Sequence, residues 1–400
     1  MNTVLQHSIG PGGNNLQAFE TWEYRTRLDG VRQSMSEAGL DALLVFQEGN
    51  LCYLTGYEGW SAYVPQAALV TLDDDPLLIL REMDLLCADS TWLPEGRLAG
   101  YSESFIGSAE RSPWEAIGEM VKGTVGASAR IGAEISGPGL GYHDYGKLVD
   151  ALGVESLCNA TGLVAKQKRV KSERELAYMA EAAAIVDRAM LAGIGSIAVG
   201  TRQCDVAATI MAALCSGTET IPGGPPRQPP TMPAGPIANA PHLKWTDDAY
   251  SAQQQTNFEI AAVRRRYVCP LSRTVYLGTP PKRLAEIHRG VLDGFHAALE
   301  AIRPGASCSD VARAFEVAFL PHQIRKQSRI GYSVGVDWTD GGASLGHNDH
   351  TEIVTNMTFH VIIGVWEAGE GYVFSEVVRV TDDGAESLSN VPRVLFERPA

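Results

Sequence analysis

The sequence predicts two successive domains: an α/β domain ending near residue 165, then an α+β domain in which a curved antiparallel sheet is backed by helices. Three observations predict this. Helical and β-type apolar patterns alternate through the first ~160 residues. A capped helix start stands at Ser172-Glu-Arg-Glu175. Beyond residue 256, β-type runs dominate and only two helical stretches interrupt them.

The opening stretch, residues 1–19, contains GPGGNN and has no periodicity, so it is expected to be a mobile arm. From Glu20, ETWEYRTRLDGVRQSMSEAGL places apolar residues at helical spacing and stops at Gly39; DALLVF and QAALVTL then read as buried strands. Further strands are expected at Pro76–Leu80 and Ala129–Ala133. The second domain, residues 166–400, opens with a long helix capped by Ser172, with Glu175 at the capping-box position. A Pro/Gly-rich stretch from Ile221 to Pro241 follows and runs into His242. A loop of ~20 residues inside a compact domain is usually functional or disordered. Strands are expected at Thr256–Val263 and Cys269–Tyr276, helices at Lys282–Ile302 and Cys308–Pro321, and strands at Ile330–Val336, Thr358–Val365 and Val373–Val380.

Composition narrows the function classes. With 45% hydrophobic and 20% charged residues over 400 positions, the chain can bury large cores without staples. A formal charge of −14 argues against nucleic acid or an anionic membrane as the main partner, and is compatible with a small cationic or zwitterionic substrate. The seven cysteines are scattered and include no CxxC pair, so neither a disulfide framework nor a structural zinc site is expected. No apolar run approaches the ~20 residues of a membrane span, and no signal-like start is present. Cytoplasmic residence is the expectation.

Seven segments, in order, carry a family resemblance: NLCYLTGYEGWSAYVPQ, VKSERELAYM, APHLKW, FEIAAVRRRYVCPLSRTVYLG, SRIGYSVGV, NMTFHVIIGVW and NVPRVLF. Over Glu20 to Phe396 the chain resembles the creatinase and ectoine-hydrolase branch of the M24 "pita-bread" family, and within it is most similar to the ectoine hydrolases. The resemblance implies a creatinase-type N-terminal α/β domain followed by an α+β pita-bread catalytic domain. In metal-dependent members two Asp, one His and two Glu hold a pair of divalent cations. The matching positions here are Glu259, Pro270, Tyr332, Ile362 and Glu376. Proline has no side-chain donor, and two carboxylates are too few for a dinuclear centre of hard cations. No metal or other cofactor is expected.

The chemistry that fits is metal-independent hydrolysis of a C–N bond in a cyclic amidine or guanidino compound. An amidinium carbon is already electron-poor and needs no Lewis acid. The resemblance makes His242 the general acid/base. Glu259 is either the nucleophile or, converging with Glu376, a clamp for the planar cation; its structural alternative is an ion pair with Arg264, Arg265 or Arg266. Tyr332 and His360 are expected either in the substrate pocket or as packing residues. Trp60 and Tyr63 are expected either in the core or, as the branch implies, in the neighbouring subunit's pocket within a homodimer. Where the branch has a carboxylate-binding Arg, this chain has Gly346; His347 or His350 is the candidate replacement. Two pocket positions also depart from creatinase, to Ala62 and Val64, and a further family Glu is replaced by Val373. Three other classes remain open: a metal-dependent Xaa-Pro peptidase, a non-hydrolytic cyclase or lyase using His242 and Glu259 for proton transfer, and an inactive binding module.

Overall fold

A computed structural model describes residues 17–61, 63–108, 110–126, 128–367 and 370–400. The expected arm lies outside these as far as residue 16, and Ala62 also lies outside. Ala18 and Phe19, counted with the arm, are instead buried. The contacts divide the chain into one unit ending at Gln167 and another beginning at Lys168.

The first unit orders α1 (Thr21–Glu37), β1 (Ala42–Val45), α2 (Glu48–Thr55), β2 (Ala67–Thr71), β3 (Leu77–Arg81), β4 (Leu98–Tyr101), α3 (Pro113–Val125), β5 (Ile131–Ala133), α4 (Tyr142–Leu152), β6 (Cys158–Asn159) and α5 (Leu163–Gln167). Its six-stranded sheet runs β4-β3-β2-β1-β5-β6. The NLCYLTGY segment forms α2 and its stop. Gln47 at the N-cap gives no side-chain cap. The buried Glu134 carboxylate instead holds the entry to the helix, accepting from Phe46 N at 2.7 Å, Gln47 N at 2.6 Å and the Asn50 side chain. Gly56 ends the helix at φ +76, and a Cβ there would stand 2.8 Å from the Tyr24 hydroxyl. The motif ends there and the loop that follows carries Trp60 and Tyr63, both exposed.

The second unit orders α6 (Glu173–Ser196), α7 (Gln203–Ser216), β7 (Gln254–Arg264), β8 (Tyr267–Leu277), α8 (Lys282–Ala301), α9 (Cys308–Phe319), β9 (Gly331–Ser333), β10 (Thr358–Glu367), β11 (Glu370–Val380), β12 (Ala385–Ser387) and β13 (Phe396–Arg398). The capping box of Ser172 and Glu175 is formed at the start of α6. The sheet runs β13-β8-β11-β10-β9, with β7 paired to β8 and β12 to β11. Alternation splits it into two faces. Phe359, Val361, Ile363 and Phe374 pack with Val291 and Phe295 of α8 and Val311 and Phe315 of α9 in one buried cluster. The intervening residues point to the opposite face. The Pro/Gly stretch is built structure: Thr231 and Glu259 exchange backbone hydrogen bonds at 3.0 Å, so the stretch extends the sheet beyond β7. The sequence reading passes over α7, whose Ala-rich run is short.

No disulfide is formed among the described residues. Among the described residues no helix is long and apolar enough to cross a membrane.

Candidate active site

Register places the candidate site on the sheet face opposite α8 and α9. Glu259 of β7 stands opposite Ser272 of β8, Ser272 opposite Ser375 of β11, and Ser375 opposite Ile362 of β10. Directly paired residues share a face. His360 lies two residues from Ile362 and pairs with Tyr332 of β9, while Pro270 pairs with Ala261, two residues from Glu259. One face thus carries Glu259, Pro270, Ser272, Ser375, Ile362, His360 and Tyr332. Gly331 permits the tight β9–β10 approach, since a Cβ there would stand 2.6 Å from the His360 carbonyl oxygen.

Glu259 is half-buried, and desolvation raises its pKa from 4.5 to about 7, against the opposing influence of the Lys244 charge and a hydrogen bond from Thr231. A carboxylate so placed exchanges protons near neutrality, as a base or nucleophile requires. Of the arginines in the structural alternative, Arg264 pairs with Glu181 at 2.6 Å and Arg266 with Asp337 at 3.3 Å.

Tyr332 and His360 touch, their rings edge to face at 5.4 Å and Tyr Oη 3.2 Å from His Nδ1. Trp338 Nε1 donates to the same hydroxyl at 3.0 Å. Burial pushes the Tyr332 hydroxyl up to about 12, with Glu259 adding to the rise, and pushes His360 down to about 3. His360 is therefore a neutral imidazole at physiological pH.

Glu376 requires a correction. It follows Ser375, so its side chain takes the other face and cannot converge with Glu259. There it is fully buried, accepting from Arg273 Nη2 at 2.6 Å and lying 3.5 Å from Arg393 Nε. Burial raises its pKa, which the two arginines oppose. Arg273 also donates to the carbonyls of Ser272, Ser375, Val391 and Pro392. The pair fastens the NVPRVLF segment to the sheet. A one-residue difference in β register, invisible to segment matching, separates Ser375 from Glu376 on the site face.

His242 is exposed and makes no hydrogen bond or ion pair among the described residues. Its segment is nevertheless tied beside the site: Leu243 O accepts from Met232 N at 3.2 Å, and the Lys244 charge reaches Glu259. His347 and His350 are not brought to Glu259. His347 lies 3.5 Å from Glu316 and His350 3.1 Å from Ser309, both partners on α9. Sequence reasoning missed Arg329. Its guanidinium stands 4.5 Å from the Tyr332 ring centroid and donates to Ser344 Oγ at 2.9 Å. A Cβ on Gly346 would lie 3.7 Å from Arg329 Cβ. Arg329 stands in the segment SRIGYSVGV, but its place opposite Gly346 could not be read there, because only the folded β9 region brings residues 329 and 346 together. In the first unit, Trp60 and Tyr63 are each 73% exposed, so they are not core residues. Tyr63 Oη accepts from Arg81 Nη1 at 2.9 Å.

The dinuclear cation centre of metal-dependent relatives does not fit these residues. Around Glu259 the site offers that one carboxylate among hydroxyls, an imidazole, proline and isoleucine, and no group of three His, Cys, Asp or Glu able to hold an ion occurs among the described residues.

Comparison with known proteins agrees with the architecture. The profile described as "Creatinase/Prolidase N-terminal domain" matches residues 27–170, and that described as "Metallopeptidase family M24" matches residues 177–382. An uncharacterized hydrolase/peptidase of Sinorhizobium fredii is 36% identical, over 95% of this chain and 97% of its own. The ectoine hydrolase of Halomonas elongata is 31% identical, over 94% of this chain and 98% of its own. Among solved structures, the dipeptidase PepE of Mycobacterium ulcerans superposes with a TM-score of 0.82 at 21% identity, covering 96% of this chain and 100% of its own. The chain belongs to metallopeptidase family M24 and joins its catalytic domain to a creatinase/prolidase-type N-terminal domain.

Proposed function

We propose that this M24 hydrolase works without metal and cleaves a C–N bond of a cyclic amidine or guanidino-type small molecule, in the manner of its ectoine hydrolase relative. The observation that supports this reading is Glu259, the one carboxylate in the group formed with Pro270, Ser272, Ser375, Ile362, His360 and Tyr332, held near neutral pKa beside Pro270 and Ile362 where cation ligands would have to stand. With Glu376 on the opposite face, a clamp of paired carboxylates is not available, and Glu259 acts at the reacting carbon instead. Its carboxylate takes a proton from water, the water oxygen bonds to the amidine carbon, and that carbon's bond to one nitrogen breaks. His242, on the adjoining loop, returns a proton to the leaving nitrogen. Arg329, rather than His347 or His350, binds a carboxylate of the substrate. Trp60 and Tyr63 contribute from a second copy in a homodimer, and the enzyme resides in the cytoplasm.

Incubation of the purified protein with ectoine in ¹⁸O-water tests the reading. The expected result is a ring-opened product carrying one label, formed at an unchanged rate with chelator. Stoichiometric Mn, Zn or Co, activity lost to chelator and cleavage of Xaa-Pro dipeptides would establish a metallopeptidase instead. An unlabelled isomer would indicate a cyclase or lyase.

A further inference from the structure

We propose that Trp338 and Tyr332 hold His360 in the tautomer protonated at Nε2, and that this N–H is a fixed donor to an oxygen of the bound ligand. The hydrogen-bond count leads there. Indole Nε1–H can only donate, so Trp338 gives its proton to Tyr332 Oη at 3.0 Å. The hydroxyl's own proton then has one acceptor within reach among the described residues, Nδ1 of His360 at 3.2 Å. Reversing the second bond would leave a hydroxyl accepting twice with its proton unused. Nδ1 is therefore the acceptor, and the ring's proton sits on Nε2.

Among the described residues Nε2 of the fully buried His360 has no hydrogen-bond partner, nor have the hydroxyls of the fully buried Ser272 and Ser375. All three residues share the face that carries Glu259. Buried polar atoms are nearly always satisfied, so three unmatched ones on one face mark a surface completed by a ligand. Two oxygens meet the requirement: a carboxylate present in the substrate, or the oxygen that arrives at the reacting carbon. In the second case His360 supplies the electrophilic assistance that a neutral imidazole donor can give. Tyr332 and Trp338 are positioning residues. The inference rests on the proposed hydrolysis only for the identity of the ligand; the tautomer is measurable without turnover.

The test is long-range ¹H–¹⁵N correlation on protein carrying ¹⁵N-histidine, with His360→Gln providing the assignment. The expected spectrum shows His360 neutral and protonated at Nε2 at neutral pH, with Tyr332→Phe mixing the tautomers. Titration with acetate or with ectoine should move the Nε2 resonance. With ectoine as substrate, His360→Leu should lose roughly 100-fold in activity, and His360→Gln, which keeps an N–H donor, should lose less than His360→Leu. A loss in kcat identifies the oxygen delivered during reaction, and a rise in KM identifies the substrate carboxylate. A proton on Nδ1, a tautomer indifferent to Tyr332→Phe, or an Nε2 resonance unmoved by both probes overturns the proposal.

Discussion

Replacing Glu259 by Gln should stabilise the protein in alkaline solution while abolishing activity. The carboxylate's pKa rises from 4.5 to about 7 on folding, mainly through desolvation. Between those values the folded state holds a proton that the unfolded state has released, so stability falls as pH rises through this window and levels off above it. At ~1.36 kcal/mol per pKa unit the full penalty is about 3 kcal/mol, and partial exposure reduces it to the order of 1–3 kcal/mol. Gln keeps the shape without the charge. Urea unfolding of both proteins at about pH 5 and about pH 9 should therefore show Glu259→Gln gaining on the wild type by roughly 1–3 kcal/mol between the two conditions. A difference independent of pH would refute the desolvated carboxylate, and with it the reason for placing acid/base work there. Residual activity near wild type would refute the catalytic role directly.

Glu376→Ala should cost about 3–5 kcal/mol, because it leaves Arg273 charged and buried, and the loss should appear as a lower melting temperature. A normally folded Glu376→Ala protein without activity would return that residue to the chemistry. Arg329→Ala should raise KM for ectoine about tenfold with kcat retained, as loss of a charge-assisted hydrogen bond predicts; kcat and KM from initial rates check this. Ser172→Ala should remove about 1 kcal/mol from the second domain by undoing the capping box of α6, measured by denaturant unfolding. Light scattering should report a dimer in solution, and Trp60→Ala with Tyr63→Ala should leave the fold intact while lowering activity; a fully active monomer would remove both from the site.

The parts of the fold that were legible in sequence are those set by short-range physics. Ser172 and Glu175 announce the start of α6 because a cap needs only residues three apart. The β7–β8 hairpin could be read from its apolar runs, although its turn places Arg265 and Arg266 at φ 47 and 70, a conformation their composition does not advertise. The family resemblance supplied the architecture as a whole, because seven ordered segments constrain a fold more than any one of them. Glu376 shows where this stops. Matching the segment GYVFSEVV locates the strand, but which of two neighbouring residues faces the site depends on pairing with Ser272 from another strand.

By itself the sequence determined the domain types, the strand that carries Glu259, and the replacement of cation ligands by Pro270 and Ile362, since a residue without donor atoms remains one in any conformation. Tertiary structure decided the rest. Whether Glu376 is a reagent or a buried anchor, whether Arg329 reaches the site, and which nitrogen of His360 bears the proton all turn on side chains distant in the chain meeting within a few ångströms. A linear reading contains the groups but not the distances, and electrostatics and hydrogen bonding act through distance and burial.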